Sequence, residues 1–222
     1  MTQLVNALVL SLDPAWRRLP REERCRSGEA FCAAFGAPSP VRAFTYSMLG
    51  LQPEGDLLLW RLAPSLEALE EHSAALLGAG MGSWMTVRES LLGLIQGSQY
   101  VKRPTPQEQS LFEGERSRYL IVYPFTKTAG WYRESKQERQ RVMNEHMKIG
   151  HRYRQVRQLL AYSFGIDDQD FVVAYETDDL EAFVELVRDL RGSESRLSTV
   201  RDTPILTAVH RPPAEIAALL GA

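Results

Sequence analysis

Cysteine is nearly missing from this chain, with two copies in 222 residues, Cys25 and Cys32. They stand seven apart in what reads as one helix, where two turns span roughly 10 Å, too far for a disulfide. A metal site would need further ligands, so the pair reads as semi-buried thiols of a reducing compartment. Histidine is also scarce: His72, His146, His151 and His210 are the four, with no H-E-x-x-H pair, which argues against a multi-ligand metal site made by this chain alone. Charge of one sign is not in excess, since 26 Lys plus Arg face 28 Asp plus Glu for a net charge of -2. Nothing therefore points to a nucleic-acid partner. No apolar stretch approaches the roughly 20 residues of a membrane helix, and Met1 to Asp13 has no basic n-region of a signal peptide. The expectation is a cytoplasmic protein with no membrane span.

What the chain does have is ordinary globular composition, 44% hydrophobic and 24% charged, enough for a packed core. Val5 to Leu12 reads as a strand, and Asp13-Pro14 opens one long helix to about Phe35. Two strands follow, Val41 to Leu49 and Asp56 to Leu62, around a Gln52-Pro53-Glu54-Gly55 turn. Ser65 caps a helix with Leu66, Leu69 and Leu76 on its apolar stripe, and Val87 to Gln96 is a fourth strand. The order β-α-β-β-α-β then repeats. Tyr119 to Phe125 is a strand, about Ser135 to Tyr153 a helix, and Val156 to Phe164 and Phe171 to Glu176 are strands about a turn at Gly165 to Asp168. Helix Leu180 to Arg191 and strand Pro204 to His210 complete the second copy, and Pro212 to Leu220 forms a short apolar helix docking at the surface.

The fold class expected is therefore α+β: two ferredoxin-like units packed sheet to sheet. Residues 1–103 make the N-terminal unit, 104–118 a polar linker and 119–222 the C-terminal unit.

Chemistry-bearing residues concentrate in the second half. In helix Gln137 to Gly150, Arg139, Met143, His146, Met147 and Gly150 share a face. An imidazole there is either a satisfied core histidine, the commoner case, or a single axial ligand to a porphyrin iron; Gly150 leaves room for a flat body above the helix. Tyr123 and Lys127 close a strand, and Trp131-Tyr132 follow in a loop. They are either a snorkelling lysine with capping aromatics or a redox-capable phenol beside a cationic anchor, and spacing does not choose between the two. Gln158 shares a strand face with Val156, Leu160, Tyr162 and Phe164. Tyr100-Val-Lys102-Arg103 is a small basic group, solvated or holding carboxylates.

Four segments, YPFTKTAGWY (Tyr123 to Tyr132), ERQRVMNEHMKIG (Glu138 to Gly150), SFGIDDQDFVVAYETDD (Ser163 to Asp179) and LRGSESR…RDTP (Leu190 to Pro204), together resemble the chlorite dismutase superfamily, and within it the coproheme decarboxylase branch. The resemblance covers the second half in order; the first half matches only in element order. It implies a homo-oligomeric ring, commonly a pentamer, whose C-terminal unit holds the porphyrin. By position, His146 matches the axial iron ligand, Tyr123 the tyrosine oxidised to a radical, Lys127 and Arg103 the propionate-binding cations, and Trp131 the tryptophan at that edge of the ring. Glu194 resembles the acidic residue that hydrogen-bonds the other nitrogen of the histidine. Chlorite dismutases keep an arginine seven residues before the turn glycine; here that position is Gln158, as in many coproheme decarboxylases, with Arg157 adjacent.

The resemblance thus implies peroxide-dependent oxidative decarboxylation of two propionates of iron-coproporphyrin III to give haem b, the porphyrin being both substrate and redox cofactor and hydrogen peroxide the oxidant. The rivals are a chlorite dismutase or weak peroxidase with resident haem b, a non-catalytic haem-binding protein, and a cofactor-free α+β barrel.

Overall fold

The computed structural model describes residues 3–53, 55–98, 100 and 115–222; Arg103 and residues 104–114 of the expected linker lie outside them. By contacts the chain forms two units, Met1–Ile95 with Thr207–Ala222, and Gln96–Leu206. No described helix is long and apolar enough to cross a membrane.

In the first unit β1 (Gln3–Leu12), α1 (Arg21–Phe35), β2 (Arg42–Ser47), β3 (Leu57–Ala63), α2 (Leu66–Leu77) and β4 (Met85–Ile95) follow the ferredoxin-like order. The sheet is antiparallel, β4-β1-β3-β2. Leu8 and Leu10 of β1 and Leu57 and Leu59 of β3 pack with Phe31 of α1 and Leu76 of α2. The single helix expected from Asp13-Pro14 to Phe35 is two pieces. A 3-10 turn, Pro14–Arg18, is capped by the Asp13 side chain, and α1 starts afresh after Pro20. Proline lacks an N–H and disfavours helical backbone in the residue before it, and Leu19 is extended at φ -66°, ψ 151°.

The second unit repeats the plan. β5 (Tyr119–Lys127) leads through a five-residue helix α3 (Ala129–Arg133) to α4 (Lys136–Gly150), β6 (Arg157–Tyr162), β7 (Phe171–Thr177), α5 (Leu180–Arg191) and β8 (Thr199–Arg201). Its antiparallel sheet runs β6-β7-β5-β8. Ser135 caps α4 by accepting from the Glu138 N–H, and Thr128 caps α3 by accepting from the Trp131 N–H.

The last strand differs from the expectation. The fourth strand of this unit is β8, three residues paired with Thr126 and Lys127. β9 (Leu206–His210), expected to fill that place, pairs instead with β2 of the first unit, Tyr46 opposite His210 and Ser47 opposite Val209. Three residues carry no readable alternation, so the longer apolar segment took their place in the sequence pattern. The terminal helix α6 (Pro213–Leu219), expected to dock at the surface within the C-terminal unit 119–222, belongs instead to the first unit, with Ile216, and Leu220 just after it, in that unit's core.

Candidate functional site

Register decides which side chains of the second sheet share a surface. Tyr123 lies opposite Val173 and Ile121 opposite Tyr175, while Gln158 lies opposite Tyr175 and Leu160 opposite Val173. Directly opposed residues point to one side of a sheet, so Tyr123, Tyr175, Gln158 and Leu160 share a face. Val173 and Tyr175 on that face pack with Ala182 and Leu186 of α5, and Ile149 of α4 joins them. The helices cover it incompletely, since Leu160 is 42% exposed. Arg157 is on the opposite face, where its Nη2 donates to the fully buried Glu176 carboxylate at 2.8 Å and to Ser117 Oγ at 2.8 Å. Gln158, not Arg157, thus shares the Tyr123 face.

His146 sits on α4 with its Nδ1 3.1 Å from Ser195 Oγ, and no described residue hydrogen-bonds its Nε2. Burial, with the Lys127 charge adding to it and Glu145 opposing, brings His146 down to about 4. It is a neutral imidazole at pH 7, the form that binds metals. One turn on, Gly150 is buried, yet a Cβ built on it meets nothing within 4 Å.

Glu194 does not reach His146. Its carboxylate takes Arg141 Nη2 at 2.5 Å, and its backbone N–H donates to Glu145 Oε2 at 3.0 Å. The group at Nδ1 is the serine one residue later. In the short 3-10 turn Glu194–Ser198 successive side chains diverge by about 120°, so a match offset by one residue changes direction.

Lys127 is largely buried; its Nζ donates to the Ser195 carbonyl at 2.9 Å and lies 4.6 Å from the centre of the Trp131 ring. Burial, then the charge of Arg196, lowers it to about 8. Trp131 and Lys127 are therefore brought together, and the backbone of Lys127 is tied through its N–H to Asp170. Two buried polar atoms close by, Tyr100 Oη and Arg139 Nε, have no hydrogen-bond partner among the described residues. Both lie near enough to Tyr132 to act electrostatically on its phenol. Tyr100 also lies against Trp131, ring centres 6.4 Å apart with the planes tilted by 60°. A phenol O–H and a guanidinium are donors that suit a carboxylate.

Tyr123 stacks on Tyr175 at 6.1 Å and 29°. Burial, reinforced by Tyr175, raises its pKa well above the usual value, so it is a protonated phenol holding a transferable hydrogen. Sequence reasoning missed Ser193, Ser195, Tyr175 and Arg139 as parts of the site. Only the shared α4 face, which includes Arg139, gave any signal of them.

A duplicated ferredoxin-like α+β chain whose second unit carries one imidazole within a helix, with no cluster of three metal-ligating side chains among the described residues, is the class this architecture defines. Residues 21–211 match the chlorite dismutase family, and the chain belongs to that family. It is 29% identical over 164 residues to the coproheme decarboxylase of Mycolicibacterium smegmatis, covering 73% of this chain and 70% of the relative. Among solved structures it resembles chlorite dismutase from Candidatus Nitrospira defluvii in complex with imidazole, at 26% identity and a TM-score of 0.88 over 99% of this chain and 95% of that one. A doubly substituted variant of the same enzyme gives 27% identity and a TM-score of 0.88, with 99% and 96% covered. These relatives support a haem-related function.

Proposed function

We propose that the protein converts iron-coproporphyrin III to haem b by hydrogen peroxide-dependent decarboxylation of two propionates. The observation that carries this reading is the side-chain set of the second unit: a protonated, half-buried Tyr123 on the same sheet face as Gln158, with His146 on the helix packed over that sheet. The residues fit such a ring. Gly150 leaves space beside His146, Leu160 leaves apolar sheet face uncovered, and Lys127, Arg139 and Tyr100 supply donors for carboxylates.

His146 would hold the iron through Nε2, and Lys127 a propionate, with Trp131 packed on the lysine. Arg103, outside the described residues, would hold another. Bound iron porphyrin supplies the two-electron reduction of peroxide to water. Tyr123 gives up its phenolic hydrogen and, as the phenoxyl, takes one from the propionate β-carbon. The bond to the carboxyl carbon then breaks, carbon dioxide leaves and a vinyl group remains, the second electron of the oxidation going to the oxidising equivalent that the bound ring would hold. Each round consumes one propionate, one hydrogen peroxide and one proton and yields one vinyl, one carbon dioxide and two waters. The protein contributes binding, orientation and electrostatics. A homo-oligomeric assembly belongs to the same proposal.

Tyr123→Phe keeps the ring and removes the transferable hydrogen. The expected result is unchanged coproheme affinity with decarboxylation down by at least ~100-fold, about 3 kcal/mol of barrier; wild-type turnover in this variant would remove the radical role. Chlorite dismutation is the second reading, favoured by the solved relatives. Oxygen release on adding chlorite is its test, and the position of Arg157 on the Glu176 side argues against it.

A further inference from the structure

Three hydroxyl contacts beneath His146 have only one consistent set of hydrogens. Ser193 Oγ lies 2.6 Å from the backbone oxygen of Leu190. A carbonyl only accepts, and a serine has a single hydrogen, so that of Ser193 is committed there. The contact between Ser193 Oγ and Ser195 Oγ, 2.9 Å, must then use the hydrogen of Ser195. With that committed as well, Ser195 Oγ can only accept from His146 Nδ1, 3.1 Å away.

We infer that Ser193 and Ser195 are positioning residues that fix His146 with its hydrogen on Nδ1 and its lone pair on Nε2, and that they moderate its donation to a bound iron because their chain ends on a carbonyl rather than a carboxylate. The tautomer follows from these contacts alone, whereas the statement about iron rests on the proposed role of His146. The serines are well placed to act in this way, being 4% and 5% exposed, so water competes little for the same atoms. The turn that carries them is pinned on two sides. Lys127 Nζ donates to the Ser195 carbonyl at 2.9 Å, and the Glu194 N–H donates to Glu145 at 3.0 Å. A carboxylate at Nδ1 would draw the proton and raise the basicity of Nε2; the nearby carboxylate of Glu194 is instead held by Arg141 at 2.5 Å. A hydroxyl acceptor keeps the imidazole a weaker donor, which leaves a bound iron easier to reduce.

Nitrogen-15 spectra of the porphyrin-free protein at pH 7, with the His146 signals assigned against His146→Gln, test the tautomer directly. The expected result is a protonated Nδ1 and an unprotonated Nε2, a mixed population in Ser195→Ala, and recovery in Ser195→Thr. An Nε2-protonated His146 in the wild type, or an unchanged tautomer in Ser195→Ala, would overturn it. In the ferrous porphyrin complex, Ser195→Asp should raise the iron–histidine stretching frequency and lower the reduction potential, while Ser195→Thr stays near wild type. Identical bands and potentials in wild type, Ser195→Ala and Ser195→Asp, with the band lost in His146→Ala, would overturn the tuning and leave the ligand in place. A band that survives His146→Ala would overturn both the ligand and the tuning, with the nitrogen-15 result still standing for the tautomer.

Discussion

Burial lowers the Lys127 ammonium to about 8, which makes anion binding at this residue sensitive to pH. Below that value the free protein already carries the charge; above it, an anionic ligand must draw a proton back. Coproheme affinity should therefore fall as pH rises from 7 to 9.5, and binding at pH 9 should take up protons, measured by calorimetry in buffers of different ionisation enthalpy. Lys127→Met should bind about tenfold more weakly at pH 7, the size of one charge-assisted hydrogen bond, and lose the pH dependence. For stability the sign is opposite. The unfolded state binds more protons between about 8 and 10.5, so the burial penalty of Lys127 is relieved as pH rises through that window. At this scale the sequence identified residue types better than contacts. His146, Tyr123 and Lys127 stand out as chemistry-bearing, whereas the resemblance offers Glu194 beneath His146 without showing whether it makes contact, and Ser195, the actual partner, gives no signal, because a hydroxyl among many serines carries none until a turn aims it.

Two glycines show how elements set the space available. Gly82 lies in the 3-10 turn that packs beside α2, and a Cβ there would fall 1.8 Å from the Leu76 carbonyl oxygen. Gly82→Ala should cost about 1–3 kcal/mol by overpacking, seen as a lower urea midpoint. Gly150, at the end of α4, is the reverse case. Ala is a better helix former than Gly by up to about 1 kcal/mol, and nothing stands in its way, so Gly150→Ala should leave the porphyrin-free melting temperature unchanged or raised. Gly150→Phe should fill the same space and weaken coproheme binding without lowering that temperature; tight binding in this variant would place the ring elsewhere. Elements with caps or strong periodicity were legible, as Ser65 before α2 and the Leu180–Arg191 helix demonstrate. The short ones were not. Helix α3 has five residues and β8 three, less than a full repeat of the patterns that define them.

Across the whole chain, duplication of the β-α-β-β-α-β order was readable because each half carries its own alternation and turn residues. The return of the last segment to the first unit was not, since it depends on contacts far apart in sequence. Trp16, fully buried, donates its Nε1 hydrogen to the Leu220 carbonyl at 2.9 Å. Trp16→Ala should lose about 3–5 kcal/mol in a urea titration. Acid acts through His146 and through His72; burial holds both at about 4, helped by the Lys127 charge at His146 and by the adjacent Arg61 charge at His72. Each folded value lies below the ordinary 6.5, so each contribution to stability is complete above 6.5 and is lost as pH falls toward 4. The melting temperature of the porphyrin-free protein should drop over that interval, less steeply in His72→Gln.

The central claim is a reaction, and its most direct measurement is the mass of the porphyrin extracted after hydrogen peroxide is added stepwise to the coproheme-bound protein. Two successive losses of a carboxyl group plus one hydrogen, ending at haem b, are the predicted result. A porphyrin that stays at its starting mass, or bleaches without passing through those two products, would contradict the assignment.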